Sequence, residues 1–376
     1  MRIVLFCHSL VSDWNHGNAH FLRGVTRELA ERGHRVAVLE PRDGWSLSNL
    51  RADTGEAALE AFRCAYPMLR SSFYDAETLD LDAALDGADL VLVHEWTEPQ
   101  LVRRLARHRR AGGRYRLLFH DTHHRSVTAP DTIAVDDLAD FDGVLAFGEA
   151  IRRLYLARGW ARRAWTWHEA ADTALFRPMA AERRGDLVWI GNWGDDERAR
   201  ELEEFLLEPV RALGLAATVH GVRYPDAARA RLAAVGIAYG GYLPNPRVPD
   251  VFARHKVTVH VPRRPYAEAL PGIPTIRVFE ALACGIPLVS APWDDAEGLF
   301  TPGEDFLVAR DGAEMRRHLT TLSHEPGYAA ALAERGRRSV LARHSCRHRV
   351  DELLAICGEL GLGLDESKEI AACAAG

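Results

Sequence analysis

Short apolar runs alternate along this chain with stretches whose apolar positions recur every three to four residues. Ile3–Cys7, Arg35–Leu39, Asp89–His94, Arg116–His120 and Gly143–Phe147 read as strands, with helix-like Asn18–Arg32 and Glu98–Arg110 between them. Strands that are apolar throughout belong in a sheet covered on both faces, so this rhythm predicts βαβ units around a doubly wound parallel sheet. After Phe176-Arg177-Pro178 the rhythm restarts, with strands at Leu187–Ile190, Ala216–His220, Lys256–His260 and Pro287–Ser290. Helices are expected over Asp195–Leu213, Ala227–Val235, Ile276–Ala283 and Gly312–Ser323. The expected class is α/β with two Rossmann-like domains, residues 1–175 and 176–345, then a helix over 346–362 packing back toward the first domain and a frayed tail over 363–376.

Composition narrows the function. A length of 376 residues exceeds what one core usually holds, and a net charge of −6 argues against a general nucleic-acid partner. Only Lys256 and Lys368 are lysines, and neither stands in a phosphate-loop or Schiff-base context. Six scattered cysteines form no C-x-x-C pair, and no run of 18 apolar residues occurs. The apolar start, Met1 to Cys7, is too short for a signal-peptide core. The expectation is a cytoplasmic protein, at most peripheral at the inner face of a membrane. Arginines interleaved with leucines over 101–116, and with Tyr155, Trp160 and Trp165 over 151–165, suit contact with anionic lipid as well as a plain solvated face.

Two loops follow first strands: His16-Gly17-Asn18-Ala19 and Gly191-Asn192-Trp193-Gly194. Neither matches G-x-G-x-x-G, and each alone reads as an ordinary strand-to-helix turn. Their matching positions in the two halves suit a diphosphate-linked substrate, because helix N-termini favour anions. Pro274 and Thr275 lead into a helix that Gly285 stops, and Glu280 on it can accept hydrogen bonds from vicinal ribose hydroxyls or be a plain surface carboxylate. His120, Asp121, His123 and His124 form the densest group of acid/base or metal-ligating side chains, with His94 and Glu95 at a neighbouring strand end. No further pair has metal-site spacing, so no metal is expected. Asp80-Leu81-Asp82 marks a helix start rather than a metal pair.

The segments "VFEALACGIPLVSAPW" and "EGLFTPGEDFLVARDGAEM" resemble the donor-site signature of family 4 GT-B glycosyltransferases. "GNAHFLRGVTRELAERGHRVAVLEP", "VHEWTEP", "LLFHDTHH" and "HEAADTALFRP" are similar to further family segments in the same order, and "IPTIRVFEALACG" with "LFTPGEDFLV" is nearest to the CgeB-type branch. The resemblance implies the GT-B fold, two Rossmann-like domains facing across a cleft. It implies a nucleotide-sugar co-substrate, with UDP favoured, no cofactor, no metal, and transfer with retention of configuration. Carried over, Glu280 binds ribose, Glu297 lies near the nucleotide or donor sugar, and Gly17 approaches the diphosphate. His120, with Asp121 beside it, is the catalytic pair at the donor sugar. Asn18, Gly191, Asn192, Pro274 and Thr275 complete the donor site, while His94, Glu95, His123 and His124 line the acceptor cleft. The family's usual acid eight positions before the ribose glutamate is here Gly272, and its basic pair is absent, leaving Arg198, Arg263 or Arg264 for the diphosphate. The acceptor stays open between a glycan, a lipid-linked molecule and a small molecule. A non-hydrolysing nucleotide-sugar epimerase and a sugar-binding or assembly protein on the same scaffold are the alternatives.

Overall fold

A computed structural model describes residues 1–363; the expected frayed tail lies, from residue 364 on, outside the described residues. Among the described residues, the first sheet has seven parallel strands: β1 (Arg2–Phe6), β2 (Arg35–Pro41), β3 (Ser71–Tyr74), β4 (Leu90–His94), β5 (Arg116–Asp121), β6 (Gly143–Ala146) and β7 (Ala164–Thr166), in the order 3-2-1-4-5-6-7. The second has six: β8 (Gly185–Ile190), β9 (Ala217–His220), β10 (Ala238–Tyr239), β11 (His255–His260), β12 (Leu288–Ser290) and β13 (Leu307–Val308), in the order 10-9-8-11-12-13. Both are the α/β, doubly wound arrangement that the apolar runs predict.

The two-residue period of a strand sorts the first sheet into two cores. Ile3, Leu5, Leu90, Leu92 and Leu118 face one way, and Val4, Phe6, Val91, Val93, Leu117 and Phe119 face the other. Strand order reverses where β1 meets β4 and again where β8 meets β11. Loops leaving such a pair diverge and open a crevice at the strands' carboxyl ends. The two crevices face each other, which positions the site.

The helices that shape it are α1 (Ala19–Glu31), α2 (Trp45–Thr54), α3 (Pro99–Arg110), α4 (Glu149–Ala157), α5 (Ile276–Cys284) and α6 (Cys346–Glu359). Helix α6 crosses back onto α1, and Trp167 donates its indole N–H to Arg349 O at 2.8 Å. The crossing is close at Gly24, where an added Cβ would lie 2.4 Å from Cys346 Sγ and 2.9 Å from Asp172 Cβ. Alanine at an interior helix glycine ordinarily gains up to about 1 kcal/mol. Here overpacking reverses the sign, and Gly24→Ala is expected to lower the urea midpoint by a net loss of about 1–3 kcal/mol; an unchanged or higher midpoint would refute the close crossing.

The helix expected over Asp195–Leu213 is broken into a 3-10 turn (Asp195–Glu197), an α-turn (Ala199–Leu202), a π-turn (Glu203–Leu207) and an α-turn (Glu208–Leu213). Pro209 explains the π-turn, since it has no N–H to donate and its ring crowds the carbonyl four residues back. Asp80 caps a short helix by accepting the Ala83 N–H. The lipid-docking expectation for residues 101–116 needs correction. Leu101, Val102, Leu105 and Ala106 of α3 are buried against the sheet, and Arg109 and Arg116 pair with Asp142, so the helix offers no apolar face outward. In the 151–165 stretch, Ile151 and Tyr155 are buried and Trp165 donates to Glu359. Among the described residues no helix is long and apolar enough to cross a membrane.

Candidate active site

Between the domains lies a cavity of about 460 Å³. Its first-domain wall comes from the loops after β1 and β4 and the start of α2, with His8, His16, Gly17, Trp45 and Trp96; its second-domain wall carries Asn192, Arg263, Tyr266, Thr275 and Ile276. A smaller cavity of about 230 Å³ continues past Asn192 and Arg263 to Arg198, Gly221, Val222, Tyr242 and Leu243. Two loops meet at the junction, where the Asn192 amide donates to Asn15 Oδ1 across the domain boundary.

Two arginines converge at the junction. Arg263 donates to Glu197 at 2.6 Å and to Asn192 Oδ1 at 3.1 Å. Arg198 donates to Asn192 O and Oδ1, both at 2.6 Å, and its Nε has no hydrogen-bond partner among the described residues. Burial, with Arg263 adding repulsion, lowers the Arg198 pKa to about 9. Beside them α5 begins at Thr275, which caps no N–H with its side chain and instead bonds His260 Nε2 at 3.1 Å. Two crowded guanidiniums beside a helix N-terminus that Thr275 leaves uncapped are tools for a phosphate.

Residues 198–355 match a family model described as glycosyl transferase-like. Solved structures share the fold over nearly the whole chain. Sucrose-phosphate synthase from Thermosynechococcus elongatus is 15% identical, covering 96% of this chain and 99% of that one, with a TM-score of 0.65. Anabaena HepE, in complex with UDP and glucose, is 14% identical over 95% and 99% with a TM-score of 0.66. An α-glucosyltransferase in complex with UDP and a 13-mer DNA is 12% identical over 95% and 99% with a TM-score of 0.69. No curated protein sequence matches significantly. The chain has the GT-B fold.

Of the expected donor positions, Gly17, Asn18, Asn192, Arg263 and Thr275 line the larger cavity, and Gly191 and Arg198 the smaller. An added Cβ at Gly17 would lie 3.1 Å from Ile276 Cγ2, so glycine lets the first loop approach the start of α5. Pro274 is buried just before that helix. Arg264 is a correction: it turns away to Glu201 at 2.9 Å and lines a separate groove of about 690 Å³.

Glu280 and Glu297 also depart from expectation, because each carboxylate is taken up by the closed interface. Glu280 is fully buried, accepting from His20 Nδ1 at 2.8 Å, from Asn245 Nδ2 at 3.4 Å and from Arg277. His20 is oriented from behind, its Nε2 accepting the Asp172 N–H at 2.7 Å. Glu297 accepts the Glu149 N–H at the start of α4 and a bond from His168 Nε2, both at 2.8 Å. Gly272 has φ +86°, and an added Cβ there would meet Glu297 Cγ at 2.5 Å, so no larger residue fits while Glu297 holds this place.

The expected catalytic pair does not reach the cavity. His120 shares a face of β5 with Leu118, which points its ring into the core against Trp167 at 4.8 Å and His94 at 5.5 Å. Burial pushes its pKa down to about 3, and Nε2 has no partner among the described residues. Asp121 faces the opposite core, accepting from Tyr155 OH at 2.8 Å and His123 N at 3.1 Å, and burial raises it to about 6. Glu95 accepts from Thr122 N and Oγ1 at 3.0 Å and from Arg125; burial, then the Asp121 charge, raise it to about 8. Together they clamp the loop that carries His123. His94 is buried, within 3.1 Å of Asn18 Oδ1 and Thr122 Oγ1. His123 does line both cavities, while His124 turns to Thr128 Oγ1 at 2.8 Å. Among the described residues no group of His, Cys, Asp or Glu is arranged to hold a metal.

Glu169 is a cavity residue that sequence reasoning passed over. It accepts from Asn18 Nδ2 at 2.8 Å and from the Ile276 N–H, and burial raises it to about 7. It stands where the chain leaves the first domain, in "HEAAD", with no spacing to mark it. Trp45 and Trp96 were missed for the same reason.

Proposed function

We propose that the enzyme moves a sugar from a nucleoside-diphosphate sugar, UDP-linked by preference, to an acceptor hydroxyl, with retention of configuration and without a metal. The carrying observation is the Arg198–Arg263 pair beside the start of α5, at the junction of a larger and a smaller cavity. In this reading the nucleoside fills the smaller cavity, the diphosphate the junction and the sugar the larger cavity. UDP in HepE and in the α-glucosyltransferase supports the base.

The bond from the sugar's anomeric carbon to the diphosphate oxygen breaks as a bond to the acceptor oxygen forms on the same face. The acceptor proton passes to the departing diphosphate. Arg198, Arg263 and the N–H groups of α5 neutralise the charge that grows on that leaving group, a role worth most in a site shielded from water. Glu169 orients Asn18 against the first turn of α5. Glu280 reaches the ribose once its bonds to His20 and Asn245 open, which assigns domain opening to nucleotide entry. Cys7, Cys64, Cys284, Cys346 and Cys357 are unpaired, which supports a reducing, cytoplasmic compartment.

The test is a thermal-shift screen against UDP, GDP, ADP, TDP and CDP, since a ligand that binds only the native state raises the melting temperature. UDP should stabilise most, and Glu280→Ala should remove the effect. Stabilisation by no diphosphate would overturn the reading. Interconversion of nucleotide-sugars with no acceptor present would replace it with an epimerase.

A further inference from the structure

The larger cavity has walls of unlike chemistry. Its second-domain side is cationic, with Arg263 and the start of α5, whereas the first-domain side presents indoles and imidazoles. His8 stands between Trp45 and Trp96, its ring centroid 6.3 Å from each. Both indoles are unusually open for their size, at 46% and 40% exposure. Neither is loose. Trp45 packs edge-on against Trp14 at 5.2 Å, and the Arg125 guanidinium covers Trp96 at 3.9 Å from its ring centre. Arg125 is itself held by Glu95, and the cavity's carboxylate, Glu169, is held by Asn18 and Ile276. Burial keeps the His8 pKa down at about 4 and lowers those of His16 and His123, so these three imidazoles are neutral at pH 7.

We propose that this wall is the acceptor site and that the acceptor is a neutral saccharide, one pyranose ring seated between the Trp45 and Trp96 indoles with its C–H groups against them and its hydroxyls bonded by His8, His16 and His123. The proposal rests on the transferase reading above. An indole face carries the negative side of its quadrupole and attracts the positively polarised axial C–H groups of a pyranose. Imidazoles supply both a donor and an acceptor, as hydroxyls require. A phosphate-bearing or carboxylate acceptor needs a cation on this wall; the guanidinium that covers Trp96 is committed to that ring and to Glu95, and the cavity-lining Arg223 and Arg263 belong to the second-domain side. A flat phenolic acceptor needs a closed apolar slot, whereas these indoles are open at the mouth and backed by polar rings.

Two measurements separate this proposal from the donor reading. Saturation-transfer NMR with methyl glucoside, methyl galactoside and methyl mannoside, with no nucleotide present, reads the wall alone. Pyranose C–H signals are expected for at least one glycoside and should vanish in Trp45→Ala/Trp96→Ala; no signal from any, or signals that survive in the variant, would overturn the proposal. UDP should stabilise this variant as it does the parent, which shows that the variant folds, and the UDP screen judges the donor reading separately. In turnover with UDP-glucose, the glycoside that binds should raise UDP release, and either single alanine variant should raise its KM about tenfold. Partial recovery is expected in Trp96→Phe. Stimulation by 4-nitrophenol or glucuronate alone would overturn the proposal.

Discussion

Arg263→Ala is expected to abolish stabilisation by UDP and to lower kcat/KM by about a hundredfold or more, the scale found when one preorganised charge donor is removed, while leaving the ligand-free melting temperature unchanged or slightly higher. The opposite signs follow from the same crowding. Arg263 and Arg198 converge on Asn192, and burial with repulsion from Arg263 lowers the Arg198 pKa to about 9. A bound diphosphate relieves that repulsion, and so does deleting Arg263. The pair with Glu197 is lost as well, but both side chains are partly exposed and such pairs are worth little, about 1 kcal/mol or less. Arg264→Ala is the control. Its guanidinium faces a different groove, so UDP binding should survive. Equal losses of UDP binding in both variants, measured by calorimetric titration, would place the anion site elsewhere.

The fold was legible because strands buried on both faces leave short unbroken apolar runs, and because Pro274 and Gly285 punctuate α5. What tertiary contact decides was not legible. Period two puts His120 on one face with Leu118 but does not say that this face meets Trp167 and Phe21 rather than the cleft. Glu280 meets His20 from 260 positions away, a pairing that no local pattern encodes. The half-exposed edge strand β3 and helix α2, which carry weak apolar periodicity, were missed although α2 places Trp45, and the helix over Ala57–Ala65 was missed despite an apolar face that buries Leu59 and Phe62. Gly17, Asn192, Arg263 and Thr275 reach the cavity because all follow strands beside the reversals in strand order, which is a property of the fold class. Glu169 has no such rule behind it.

Acidification from pH 7 to pH 5 is expected to destabilise the ligand-free protein by several kcal/mol, at about 1.4 kcal/mol per pH unit for each imidazole held neutral. Burial lowers His8 to about 4 and His120, His260 and His344 to about 3, and His16, His94 and His123 fall well below their ordinary value. Their contribution is present above the unfolded value of 6.5 and is lost as pH falls toward the folded values. Three carboxyls oppose this: Glu95, raised to about 8, Glu169, to about 7, and Asp121, to about 6. For these the stabilising contribution is complete below the unfolded pKa and is lost as pH rises through the folded one. Seven imidazoles outweigh three carboxyls below pH 6.5, whereas the carboxyls act alone toward pH 8. Melting temperature should therefore peak at about pH 7 and fall more steeply on the acid side. His120→Leu removes one buried proton acceptor without exposing new surface, and should flatten the acid limb relative to the parent. A parent protein equally stable at pH 5 and pH 7 would mean that these imidazoles are not held neutral by burial.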